Sequence, residues 1–331
     1  MKFYPKVLLT VVIIFTQLIT GCEKPTTLLS SSHHQFLQSA VIDADISEDG
    51  KYSLILDVNN IISLWDNDNF SLIKQWESTE FSEQQYHVLF SRNNQWLAVA
   101  GKNHITLLSV KGSHKKISWK VNGFFPDAQI SQVMLTSTAK KVIIGLTEGS
   151  VIVADIANET RSQFNLHEGP VTQLAFSDNE KNLVSASLDG QVIKWNISTG
   201  KVNWDVKQPF RITSLAFDDL SQHLFISDAL KNQRFFTLDK KIALSSLNYF
   251  ERNRYFREAI FLNRSKKLLT SSSKYQISLW DVETGDEISQ GEIRSYNFGS
   301  TVLDFAVNAN NDILTLSSDG SLEFWPSTLF R

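Results

Sequence analysis

Residues 166–201 read LHEGPVTQLAFSDNEKNLVSASLDGQVIKWNISTGK, and this stretch decides the fold. Three runs in it alternate apolar with polar residues, at 171–176, 182–187 and 191–196, and a fourth follows at 202–206. A period of two is the strand signature, because successive side chains of a strand point to opposite faces. Between the runs stand Asp178-Asn179-Glu180, Asp189-Gly190 and Ser198-Thr199-Gly200. These are turn residues, and Asp-Gly in particular suits a tight hairpin that needs a positive φ. The stretch therefore predicts four short antiparallel strands.

The same order recurs along the chain. Trp65-Asp66, Trp195-Asn196, Trp280-Asp281 and Trp325-Pro326 mark the end of a third strand, and Leu108, Ala154 and Leu238 fill that place in weaker copies. From Trp65 to Trp325 the six steps average about 43 residues. First strands recur as DADIS (43–47), HVLFS (87–91), QLAFS (173–177) and SLAFD (214–218). A four-stranded sheet that is apolar on both faces cannot stand alone, whereas radial stacking of such sheets hides both. The period thus predicts an all-β, seven-bladed β-propeller over residues 35–331. The last blade has runs only at 301–306, 312–317 and 322–326. Gln35-Phe36-Leu37-Gln38-Ser39 is expected to supply its missing outer strand, closing the ring and removing an exposed edge.

The segments LAFS, SLDG, IKWN and LWDVETG closely resemble the WD40 repeat, strongly in blades 4, 6 and 7 and weakly in blades 2, 3 and 5. In blade 4 the resemblance implies a buried structural tetrad of His167, Ser187 (or Ser185 on the same face), Asp189 and Trp195. The Asp189 position recurs as Asp319 in blade 7, but Asn59, Lys102, Glu148 and Lys274 stand there elsewhere, and Leu166 replaces the glycine that the family places before the histidine. The resemblance implies a protein-binding scaffold and not an enzyme. WNISTGKVNW (195–204) also resembles quinoprotein-type blades, which gives the alternative of an envelope enzyme or cofactor-binding propeller.

The N-terminus reads MKFYPKVLLTVVIIFTQLITGC, with Lys2 and Lys6 ahead of an apolar run. That is the signal-peptide pattern, over 1–21, and the run is too short for a stable span. Ile19-Thr20-Gly21-Cys22 resembles the lipobox of bacterial lipoproteins, which implies lipidation of Cys22, with Glu23 favouring the outer membrane and its periplasmic face. Residues 22–34 are expected to be the lipidated cysteine and a flexible tether. Cys22 is the sole cysteine, so no disulfide, thiolate zinc site or cysteine nucleophile is available to the folded domain. Cleavage before Cys22 removes Lys2 and Lys6 and takes the formal charge from −3 to −5. That field does not favour nucleic acid.

Motifs for chemistry are few. There is no Gly-rich phosphate loop, H-E-x-x-H or G-x-S-x-G. No catalytic residue, metal or cofactor is expected. His33-His34 reads as solvated linker, and the acids Asp218-Asp219, Asp281 and Glu283 read as turn residues. The expected partner is a protein or peptide in the envelope, beside the membrane reached through the N-terminal lipid, and the ring is expected to be a monomer. Candidate partner-binding residues are Tyr249, Phe250, Arg252, Arg254, Tyr255, Phe256 and Arg257, where aromatics interleave with arginines as at interface hot spots. Phe124-Phe125-Pro126 and Phe210-Arg211 fall on the same predicted face. Trp76, Trp119 and Trp204, in fourth strands, are expected to pack between blades.

Overall fold

The computed structural model describes residues 25–330 apart from 111–115, 178, 219–222, 239–241, 250 and 252–253. Seven sheets form the ring. Their innermost strands are Val41–Ile46, Gln85–Phe90, Ile130–Leu135, Val171–Ser177, Ile212–Asp218, Phe256–Leu262 and Val302–Val307. In blades 1 to 5 the four strands lie in chain order from the axis outward and pair antiparallel, while blades 6 and 7 each add a strand from the N-terminal segment at the outer edge. Blade 4 has strands Val171–Ser177, Asn182–Ser187, Gln191–Asn196 and Val202–Lys207, within one residue of those read from the sequence. Its Asp-Gly turn needs the glycine: Gly190 has φ +85°, and a Cβ there would lie 2.6 Å from the Gln208 carbonyl oxygen.

The core consists of the interfaces between blades. Val153 of blade 3 packs with Leu183 and Trp195 of blade 4, and Val184 and Trp204 of blade 4 pack with Leu224 and Phe236 of blade 5. Middle strands are therefore apolar on both sides, as in Leu54, Ile55 and Leu56, all fully buried. At about 1.5–3 kcal/mol per buried aliphatic or aromatic side chain, these interfaces are the main stabilising term of the ring. The outer-strand tryptophans do pack between blades: Trp76 belongs to the apolar cluster of blades 1 and 2, Trp119 packs against that of blades 2 and 3, and Trp204 lies edge-on to Phe236 of blade 5 at 6.0 Å.

Three expectations change. In blade 5 the residue opposite Leu224 is Phe236, as Trp195 is opposite Leu183 in blade 4, so Phe236 and not Leu238 holds the third-strand landmark. Closure of the ring uses β2 (Ser32–Gln35), antiparallel to Ser321–Trp325, and not 35–39; only Gln35 is common to both. Nor is the segment before it a tether. β1 (Thr26–Leu28) adds a parallel fifth strand to blade 6, beside Glu287–Glu292.

The physical cause is unsatisfied backbone. An outer strand presents a row of free N–H and C=O groups, and each of these two edges accepts the extended chain. Alternation in β2 then turns His34 and Phe36 toward blade 1, where His34 stacks on Phe70 at 4.4 Å and Phe36 on Trp65 at 4.9 Å. His33, read as solvated linker, instead meets the Arg294 guanidinium (Nη1 to Nε2, 3.1 Å) opposite Glu323. Cys22 and the apolar run before it lie outside the described residues.

Candidate functional site

The loops that lead into each first strand and the turns between second and third strands share one face of the ring, here called the upper face; the remaining turns form the lower face. The tetrad of blade 4 pins the upper face. Trp195 Nε1 donates to Ser185 Oγ at 3.1 Å, and Ser185 Oγ pairs with His167 Nε2 at 2.8 Å. His167 Nδ1 faces Asp189 Oδ2 at 3.6 Å. The hydroxyl of the tetrad is thus that of Ser185, and not Ser187, whose Oγ donates to the Gly169 carbonyl at 2.9 Å. His167, Ser185 and Trp195 are buried, and the serine hydroxyl is engaged by both the imidazole and the indole.

The tryptophan half of this device recurs in blades 6 and 7. Trp280 Nε1 donates to Thr270 Oγ1 at 2.8 Å and Trp325 Nε1 to Thr315 Oγ1 at 3.0 Å. A buried indole N–H must be paired, and a hydroxyl on the neighbouring strand does so without a charge.

Burial pushes the His167 imidazole down to about 4, against the opposing pull of Asp189. The unfolded chain binds this proton near pH 6.5, so folding stability is complete above that value and declines as pH falls toward 4, by up to about 3 kcal/mol. His167→Gln is expected to melt lower at pH 7 and to show a flatter loss of Tm between pH 6.5 and 4.5. A slope equal to that of the parent would assign the acid sensitivity elsewhere.

The aspartate half acts as a clip for the incoming loop. Asp189 Oδ2 accepts from the Glu168 amide at 2.9 Å, and Asp319 Oδ2 from the Tyr296 amide at 2.7 Å. Glu148, which departs from the family's aspartate, performs the same task with a longer reach. Its carboxylate accepts from the amides of both Phe124 and Phe125 at 2.8 Å. Burial opposes its charge, but these two amides and Ser150 Oγ outweigh that and hold the carboxyl below its ordinary range. The clips of blades 3 and 7 therefore hold up loops whose aromatics are exposed, Phe124 at 58%, Phe125 at 62% and Phe298 at 104%. Tyr296 and Phe298 were missed in the sequence; the run Ser295-Tyr296-Asn297-Phe298 ahead of a first strand was the available signal.

Of the fifteen large apolar side chains exposed among the described residues, nine lie on the upper face: Val58, Phe124, Phe125, Leu188, Phe210, Leu230, Tyr255, Tyr296 and Phe298. The other six sit on or beside outer strands. Two clefts open next to the most exposed loops. One, of about 200 Å³, is lined by Val121, Phe124, Phe125 and Pro126; the other, of about 270 Å³, by Val41, Phe298 and Ser300.

The aromatic–arginine cluster before blade 6 divides. Arg254 is 8% exposed and Phe256 fully buried. Arg254 forks onto Glu287 (Nη2–Oε1 2.8 Å, Nη1–Oε2 3.3 Å), donates to Ser278 Oγ, and lies 4.9 Å from the Trp280 ring and 5.6 Å from Tyr249. Arg254, Phe256 and the half-buried Tyr249 are therefore internal, because blade 6 has no His–Asp pair and an arginine fills that space. Tyr255 and Arg257 remain exposed, while Phe250 and Arg252 lie outside the described residues.

Corresponding positions of the seven inner strands place Asp43, His87, Gln132, Gln173, Ser214, Glu258 and Asp304 around the axis. These strands are edges too, and carboxylates from one blade satisfy amides of the next. Asp304 Oδ2 accepts from Ile46 N at 2.7 Å, and Asp43 Oδ2 from Val88 N at 3.0 Å. Burial pushes Glu258 and Asp304 up to about 8 and Asp45 well above its ordinary range, the last helped by the adjacent Asp304 carboxylate. Raised carboxyl values contribute stability that is complete below pH 4 and lost as pH rises through 8. Glu258→Gln is expected to raise Tm at pH 9 relative to the parent and to change little at pH 5; equal Tm shifts at both values would reject this. Among the described residues no group of three or more His, Cys, Asp or Glu side chains has a metal-binding arrangement.

The WD domain, G-beta repeat model of the WD40 type matches residues 158–196, a range that ends with the strand Gln191–Asn196, which carries the Trp195 of the tetrad. The fold is a seven-bladed β-propeller of WD40 type. The chain is similar to the WD repeat-containing protein SL1-17 of Schistosoma mansoni, 23% identical over 49% of this chain and 52% of that one. The Retinoblastoma-binding protein 5 homolog of Drosophila melanogaster is 22% identical over 54% and 41%. The WD repeat and HMG-box DNA-binding protein 1 of Mus musculus is 36% identical over 24% of this chain and 7% of its own. The chain spans about half or less of the length of each of these relatives.

Proposed function

We propose that this protein is a non-catalytic interaction scaffold of the bacterial cell envelope, anchored by a lipid on Cys22 at the periplasmic face of the outer membrane, whose upper face binds a protein or peptide. The observation that carries the binding reading is the concentration of exposed apolar groups on that face, with clefts beside Phe125 and Phe298. The names of relatives, which describe repeat and binding proteins, support it. Clipped loops present these aromatics already ordered, which lowers the entropic cost of association. The anchor reading rests on the sequence Ile19-Thr20-Gly21-Cys22 after the apolar run.

Photoreactive residues at Phe125 and Phe298, crosslinked in intact cells and read by mass spectrometry, should capture the same protein. Phe125→Ser and Phe298→Ser should each weaken its binding about tenfold or more, as for hot-spot aromatics, with Tm unchanged. Capture from lower-face positions such as Asn310 and not from these two would reject the upper face. Cys22→Ala should yield a protein without acyl mass; unchanged acylation would reject the lipobox.

A further inference from the structure

The way β1 docks fixes where the N-terminal segment leaves the ring. β1 runs parallel to the outer strand Glu287–Glu292 of blade 6, with Thr26 beside Ser289 and Leu28 beside Gly291. That outer strand begins just after the lower-face turn 282–286 and ends toward the upper face. A parallel neighbour therefore comes from the lower side. The docking is firm. Leu28 is 2% exposed in the core between blades 6 and 7, Thr26 Oγ1 meets Ser289 Oγ at 2.6 Å, and a Cβ on Gly291 would collide with Leu28 at 2.8 Å.

Three residues separate Cys22 from Thr26, and four fully extended Cα–Cα steps span at most about 14 Å. A lipid on Cys22 holds that residue at the headgroup boundary, so whatever touches the bilayer lies close to β1. The neighbouring rim carries two exposed apolar side chains, beside the exposed acids Glu283 and Asp286 of the turn. Blade 5 packs its outer strand Ala243–Ser246 against the same lower-face turn, through Ser245 Oγ to the Val282 carbonyl and Asn248 N to the Gly285 carbonyl at 2.7 Å. At the lower end of that strand Ile242 is 78% exposed and Leu244 48%. Leu72 and Ile73, also exposed, belong to blade 1, two blades from β1. Apolar groups placed at a headgroup boundary find a favourable environment that water does not offer.

We propose that the lower rim of blades 5 and 6, led by Ile242 and Leu244, seats on the bilayer that holds the N-terminal segment, and that the upper face consequently points away from that bilayer. This orientation rests on the anchor reading above, and it leaves the aromatic loops free for a partner that approaches from the aqueous side.

Because Cys22 is the only native cysteine and its thiol is consumed by lipidation, any introduced cysteine becomes the single labelling site. Ile242→Cys, Leu244→Cys, Phe125→Cys and Phe298→Cys, each carrying a small fluorophore, would be reconstituted in phosphatidylethanolamine–phosphatidylglycerol vesicles with brominated acyl chains. Quenching at residues 242 and 244 should exceed that at 125 and 298 several-fold. Equal quenching at all four sites, or stronger quenching at 125 and 298, in protein that floats with the vesicles and carries acyl mass, would overturn the orientation alone. Protein of unmodified mass that fails to float would overturn the anchor reading and this inference with it.

Discussion

Arg254→Ala is expected to destabilise the propeller by about 3–5 kcal/mol, the scale for removing one partner from a buried ion pair. The loss has two sources. Glu287 would keep a charge in a site where the guanidinium neutralises it, and the rings of Tyr249, Phe256 and Trp280 would lose the planar group they pack around. Arg254→Lys should recover little, because an ammonium cannot fork onto the carboxylate or stack on the indole. Equilibrium urea unfolding checks the magnitude. A double variant, Arg254→Met with Glu287→Gln, provides the control: with neither charge left behind it should regain part of the loss. If Arg254→Ala unfolds like the parent while partner capture at the upper face is abolished, the arginine is a binding residue after all.

Removing residues 26–35 is expected to cost about 5 kcal/mol, from burial of Leu28 and from the ladder bonds of β1 and β2 at roughly 1 kcal/mol each. The effect should exceed its local contacts in one respect. Without β2, blade 7 exposes the edge of Ser321–Trp325 and the Phe36–Trp65 contact with blade 1 loses its support. The shortened protein should therefore also aggregate with time, since an uncovered edge pairs with another chain. Leu28→Asp isolates the β1 part, with an expected loss of about 2–3 kcal/mol for a buried leucine replaced by a charge. Thermal melts and light scattering on both variants would settle the division, and a shortened chain that melts with the parent would mean the ring closes by other means.

Much of the fold was legible in residue order. Alternating runs, Asp-Gly and Thr-Gly turns and tryptophans about 43 residues apart specify a thin sheet that needs neighbours on both sides, and only stacking in a circle meets that need seven times over. The outer-strand tryptophans could be placed between blades for the same reason. The channel carboxylates were not legible, since nothing local tells that Asp43, Glu258 and Asp304 share one level around an axis. The clip at Glu148 was visible only as a departure from aspartate, because the sequence does not reveal that a longer side chain can reach two amides.

The binding cluster shows the limit most plainly. Tyr249, Arg254 and Phe256 have the composition of an interface, and composition alone does not separate a surface that meets a partner from a core that meets a neighbouring blade. Side-chain period and turn chemistry are local, so they fixed strands, blade number and the face on which each loop emerges. Burial is a property of what lies across a gap, hence the tertiary structure alone decided that Ser185 and not Ser187 completes the tetrad, that strands form at 26–28 and 32–35 where a tether was expected, and which aromatics remain in water.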